Sequence, residues 1–123
     1  MSEDIRKGNA TFLAFAHTFY KDAEAILQKK NQDYSAGDDP LSNFKLAEQM
    51  NIATADKAIF IRMMDKVSRL SVFLQKGHFL VQNETVKDTL LDLANYCVIL
   101  AYYLSQREEI ANKGPKEYIG LKE

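Results

Sequence analysis

Three carboxylates, Glu84, Asp88 and Asp92, recur every four residues through a stretch that is otherwise largely apolar. On an α-helix this spacing places them on one side with only gradual drift, and Asn95 and Tyr96 extend the same side. Like charges so placed repel by roughly a few tenths of a kcal/mol per pair, so something must offset the row. A hard divalent cation such as Mg²⁺ would do so, because it takes oxygen ligands and completes its shell with water and substrate phosphates. Asp65 offers a further oxygen donor from an earlier segment. The alternative is a basic stripe: Arg62, Lys66 and Arg69 share one side of their own helix and could meet the acids as ion pairs across an antiparallel contact. A mixed arrangement is also open, with Asp65 and the acidic row on a cation and the three basic side chains on phosphate oxygens.

A second candidate is Lys30-Asn31-Gln32-Asp33-Tyr34-Ser35, which sets a cation, an amide, a carboxylate and an aromatic face side by side. Amides and carboxylates can pair with the edges of a base or sugar, and Tyr34 or the later Phe44 can stack on a ring. The plainer reading is a turn followed by core anchors. His17 and His78 have no second His or Cys at ligand spacing, and no glycine-rich phosphate loop is present. No serine or cysteine has the surroundings of a nucleophile, which argues against covalent catalysis.

Four helical segments must position these groups. Phe12, Phe15, Ala16, Phe19, Ala23, Ile26 and Leu27 follow helical spacing and predict a first helix over about 11–30. The span 31–40 collects Asn, Asp, Ser, Gly and Pro and reads as a loop. Ser42 is placed to cap a short helix to about Met50, and Thr54 to cap a third that stops at Gly77. The third helix has apolar residues over more than half its circumference, with Met63 and Met64 expected as core fillers. Asn83 is placed to cap a fourth helix reaching at least Leu104, so nearly encircled by apolar residues that it belongs at the centre or in an oligomer interface. The expected fold is an all-α compact bundle of four or five helices around a central antiparallel pair, in a single domain 1–123. Its core spans about 10–105, and a polar tail follows over about 106–123.

The chain carries 46% hydrophobic and 27% charged residues and a formal net charge of -1, the balance of a globular domain and not of a polycation. Polymeric nucleic acid is therefore not the expected partner. Cys97 is the single cysteine, so no intrachain disulfide can form, and no apolar run approaches the roughly 20 residues that span a bilayer. Together these point to a cytoplasmic protein.

The ordered motifs Lys30-Asn31-x-Asp33-Tyr34, Asn43-Phe44, Arg62-x-x-Asp65-Lys66-x-x-Arg69-Leu70 and Glu84-x-x-x-Asp88-Thr89-x-x-Asp92-Leu93-Ala94-Asn95-Tyr96 cover about residues 26–104. This set resembles the phage-associated nucleotide-modification-associated domain family. The resemblance implies an all-α protein of phages or bacteria, acting in deoxynucleotide metabolism or DNA-base modification in the cytoplasm of the cell or host. The acidic segment is also similar to the second motif of the all-α nucleoside-triphosphate pyrophosphatases (MazG-like). Those enzymes bind Mg²⁺ through a Glu-x-x-Glu pair and a later Glu-x-x-Asp pair and work as dimers or tetramers. Here Glu84 and Asp88 are separated by three residues, and Arg62-x-x-Asp65 stands where the first acidic pair would fall. The departure weakens the case for hydrolysis and leaves nucleotide binding intact.

The expectation is a small-molecule nucleotide site in a homo-oligomer. Lys30, Asn31, Asp33, Tyr34, Asn43, Phe44, Arg62, Lys66, Arg69, Asn95 and Tyr96 would contact the nucleotide. Asp65, Glu84, Asp88 and Asp92 would hold Mg²⁺, and Glu84 and Asp88 would be catalytic if a triphosphate is cleaved to monophosphate and pyrophosphate. Two alternatives remain: a nucleotide-binding protein without turnover, and a helical interaction protein whose charges are only ion pairs.

Overall fold

A computed structural model describes residues 2–34, 39–78 and 85–110, with the side chains of 33, 34 and 108–110 left aside. Four helices, α1 (Glu3–Tyr34), α2 (Ser42–Gln49), α3 (Ala55–Lys76) and α4 (Val86–Ile110), account for nearly all of these residues, and no strand occurs among them. The all-α expectation holds. None of the helices is long and apolar enough to cross a membrane.

The first helix is longer than its apolar stripe predicts. It starts at Glu3, where Glu3 and Asp4 favour the positive end of the helix dipole, and the Ser2 hydroxyl accepts the Ile5 amide at 3.2 Å. It then continues through Lys30 to Tyr34, so the first residues of the expected loop are the last turn of α1. The strong breakers, Gly37 and Pro40, come only after that turn in the sequence.

The cap of α2 shifts by one residue, and that of α3 falls at Thr54 as expected but without its side-chain bond. Leu41 occupies the cap position of α2, and the Asp39 carboxylate takes the Leu41 amide at 2.9 Å, so Ser42 is the first helical residue and not its cap. Thr54 has the extended backbone of a cap for α3, yet its hydroxyl donates to Asp56. The Ala55 amide is taken instead by Glu48 of α2, at 2.6 Å. Asn51, at φ 58°, ends α2: the Ile52 amide returns to the Ala47 carbonyl at 2.9 Å and the Asn51 amide to the Glu48 carbonyl at 3.0 Å. Gly77 stops α3 as expected, left-handed at φ 81°, with its amide on the Phe73 carbonyl.

The helices α3 and α4 form the main pair. Lys66 meets Asp92, Arg62 meets Tyr96 and Asp56 meets Arg107, so numbers rise along α3 as they fall along α4, and the pair is antiparallel. On its other side α4 packs against α1, and α2 packs against α3. Ala23, Leu41, Ala55, Ile59 and Leu91 are the buried apolar residues, joined by Thr89 and Asn95. Burying a side chain such as Ile59 contributes about 1.5–3 kcal/mol. Met64 is not the core filler its sequence suggests: it is exposed, as are Phe60, Val67 and Leu74 on the same helix. One side of α3 does pack inward through Ala55 and Ile59, while these residues follow the opposite side.

Candidate functional site

A cavity of about 530 Å³ opens where the C-terminal part of α1 and the start of α2 face the middle of α4. Helix α1 contributes Leu27, Gln28, Lys30 and Asn31, which share one face because they recur at three- and four-residue steps. The turn into α2 supplies Pro40 and Leu41, followed by Asn43 and Phe44 from its first turn. That turn is pinned by Asp39, whose second carboxylate oxygen takes Lys45 at 2.9 Å. The Lys45 ammonium and the Leu41 amide hold the Asp39 carboxyl below its ordinary pKa, and the same bond raises that of Lys45. Helix α3 adds Arg62, and α4 supplies a face of Asp92, Asn95, Tyr96, Ile99 and Tyr102, with Val98 beside it.

Eight residues singled out by sequence therefore line one cavity: Lys30, Asn31, Asn43, Phe44, Arg62, Asp92, Asn95 and Tyr96. Lys66 stands behind them. The two oxygens of Asp92 are divided between two lysines, Oδ1 accepting from Lys30 at 3.0 Å and Oδ2 meeting Lys66 at 3.2 Å. Asp92 and Lys66 are largely shielded, with side chains 19% and 15% exposed. Arg62 lies 6.0 Å from the centre of the Phe44 ring, and its guanidinium reaches the Tyr96 hydroxyl at 3.5 Å. No carboxylate partner of Arg62 occurs among the described residues. Lys30 and Arg62 bring two cations to the cavity wall beside Asp92, an arrangement suited to an anion.

Asn95 ties the site to the fold. It is buried, and its Nδ2 donates to the Ala23 carbonyl at 2.9 Å, fixing α4 against α1. A carbonyl only accepts, so the amide nitrogen must face Ala23, and Oδ1 is left as an acceptor with no partner among the described residues. A buried acceptor at a cavity wall costs about 1–3 kcal/mol unless a donor meets it.

Among the described side chains, Asp88, Asp65 and Arg69 go elsewhere. Asp88 closes the first turn of α4 in a reciprocal cap: its amide donates to the Thr85 hydroxyl at 3.0 Å and its carboxylate accepts the Thr85 amide at 3.3 Å. Asp65 pairs with Arg69 one turn along α3 at 3.2 Å, and neither lines the cavity. Asp33 and Tyr34 fall in the last turn of α1. Glu84 lies outside the described residues, as does Asn83, the expected cap. The structure thus does not gather Asp65, Asp88 and Asp92, and no group of three His, Cys, Asp or Glu placed to hold a metal occurs among the described residues.

Sequence reading missed Gln28 and Tyr102, together with the apolar wall of Leu27, Leu41, Val98 and Ile99. The signal was present for three of them. Gln28 precedes Asn31 by three residues, and Ile99 and Tyr102 continue the Asp92–Asn95 face at three- and four-residue steps. Comparison with known proteins finds no matching family model, no matching curated protein and no matching solved structure.

Proposed function

We propose that this protein binds a nucleotide in the cavity between α1, α2 and α4, with the phosphates toward Lys30, Lys66 and Arg62 and the ring against the aromatic and apolar wall. One observation carries the reading: the cations Lys30 and Arg62, the rings of Phe44, Tyr96 and Tyr102, and the open acceptor of buried Asn95 share one cavity. Each matches a part of the ligand. Arginine and lysine recognise phosphate oxygens, aromatic faces take a planar ring, and an amide oxygen takes a base N–H. A cavity of about 530 Å³ also falls within the range of small-molecule sites, roughly 300–1,000 Å³. The likeness of the motifs to the nucleotide-modification-associated family supports the same ligand class.

Such a site is a binding site before it is a catalytic one. A Mg²⁺-dependent pyrophosphohydrolase would further require acids such as Glu84 and Asp88 to hold the metal and position water. Thermal unfolding in the presence of each deoxynucleoside triphosphate, with and without Mg²⁺, tests the reading, because a ligand that binds only the folded state raises its stability. A rise in Tm for wild type that is lost in Arg62→Ala supports it, and no rise with any nucleotide overturns it. Pyrophosphate assayed in the same mixtures separates turnover from binding alone.

A further inference from the structure

Buried Asn95 meets the cavity with its amide held in one orientation. Its side chain is 8% exposed, lines the cavity and donates through Nδ2 to the Ala23 carbonyl at 2.9 Å. An amide free to turn over offers a ligand either its nitrogen or its oxygen. This one is not free: turning it would set Oδ1 against the Ala23 carbonyl, acceptor on acceptor, in the contact that holds α4 to α1. Oδ1 is therefore fixed as an acceptor, and no donor among the described residues meets it. Leu27, one turn past Ala23, and Ile99, one turn past Asn95, line the same cavity and carry no side-chain donor. A buried acceptor left unmet is costly, so a ligand that brings the donor is favoured over one that does not.

Taking the nucleotide reading as its basis, we propose that Asn95 selects bases with an exocyclic amino group (adenine, cytosine, guanine) over thymine, uracil and hypoxanthine, which have none. The amino nitrogen of a base only donates, because its lone pair is delocalised into the ring. It also stands outside the ring, where it reaches a recessed oxygen. The ring N–H of thymine or uracil lies between two carbonyls. Brought to Oδ1, it would carry a carbonyl oxygen alongside, with Nδ2 already committed to Ala23. An exocyclic carbonyl aimed at Oδ1 is worse, since two acceptors then face each other. The fixed amide thus penalises the wrong base as well as favouring the right one.

Calorimetric titration of matched nucleotides reads this selection. The pairs are dCTP with dUTP, dGTP with dITP, and dATP with the triphosphate of purine deoxyriboside, which keeps the ring and lacks the amino group. In at least one pair the amino-bearing member is expected to bind wild type at least about tenfold tighter, the loss that one unmet buried acceptor brings. In Asn95→Ala, checked for helix content by circular dichroism, the preference within that pair is expected to disappear. A residue that only ties α4 to α1 would weaken both members equally, so a folded Asn95→Ala that keeps the preference overturns the proposal. Equal binding of both members of every pair to wild type, or tighter binding of the members without the amino group, overturns it too and leaves the nucleotide reading standing. Those wild-type comparisons decide the matter if the variant does not fold. No binding of any nucleotide overturns both.

Discussion

Asp88 and Asp92 are the same residue type, one turn apart on the same helix, yet the fold uses them in different ways. Asp88 sits in the first turn of α4, where Thr85 exchanges two hydrogen bonds with it, and its partners are local. Asp92 is one turn deeper and is held between Lys30 of α1 and Lys66 of α3, residues distant in sequence. The first carboxylate starts a helix. The second joins three helices and orders the cations of a cavity. A row of acids at four-residue spacing thus shares a face without sharing a role, because position relative to the helix start decides which neighbours each meets.

Breaking this contrast at Asp92 has the largest expected effect. Asp92→Ala leaves Lys66, 15% exposed, without its carboxylate, and removal of one partner from a shielded pair is strongly destabilising. A loss of about 2–3 kcal/mol is expected in urea unfolding, discounted from fully buried pairs because solvent reaches this one. Next comes Arg62→Ala, expected to weaken nucleotide binding at least about tenfold through loss of a charge-assisted bond worth about 1.5–3 kcal/mol, with little change in stability. Isothermal titration beside urea unfolding separates the two quantities.

Asp88→Ala should cost about 1 kcal/mol, the usual worth of a cap, and leave nucleotide affinity unchanged. A loss of Mg²⁺-dependent binding in this variant would instead give Asp88 the metal role that its place in the row suggests. The smallest effect is at Asp56, also in a first turn. The Thr54 hydroxyl, the Lys57 amide and Arg107 hold its carboxyl below the ordinary carboxylate value. A carboxyl depressed on folding adds stability above its unfolded pKa of about 3.9, and that stability is lost as pH falls through the lower folded value. Wild type should therefore lose slightly more stability than Asp56→Asn between about pH 5 and pH 3, read as urea midpoints.

Periodicity made much of this molecule legible. The α3–α4 pairing, the stop at Gly77 and eight cavity residues were all readable, because each follows from local chemistry or from which residues share a face. Thr54 holds the expected cap position of α3, but the cap at Ser42 and the partner of the Ala55 amide were not legible. The Ala55 amide finds Glu48, seven residues away on a neighbouring helix, and a tertiary partner of that kind leaves no local mark. The end of α1 was misplaced because Asn31 and Asp33 favour turns only weakly, whereas the decisive breakers, Gly37 and Pro40, follow Tyr34. The acidic row was misleading for a different reason. Spacing gives the face of a helix, but the start of α4 at Val86 places Asp88 in a cap and leaves Asp92 to the cavity.

On the proposed reading, the cations around Asp92 make this cavity a nucleotide site. Titration of a deoxynucleoside triphosphate into wild type and into Arg62→Ala, followed by calorimetry, tests it most directly. Saturable binding with one site per chain, weakened at least about tenfold in the variant, is the expected result. Equal affinity in both proteins, or no binding of any nucleotide to wild type, would contradict it.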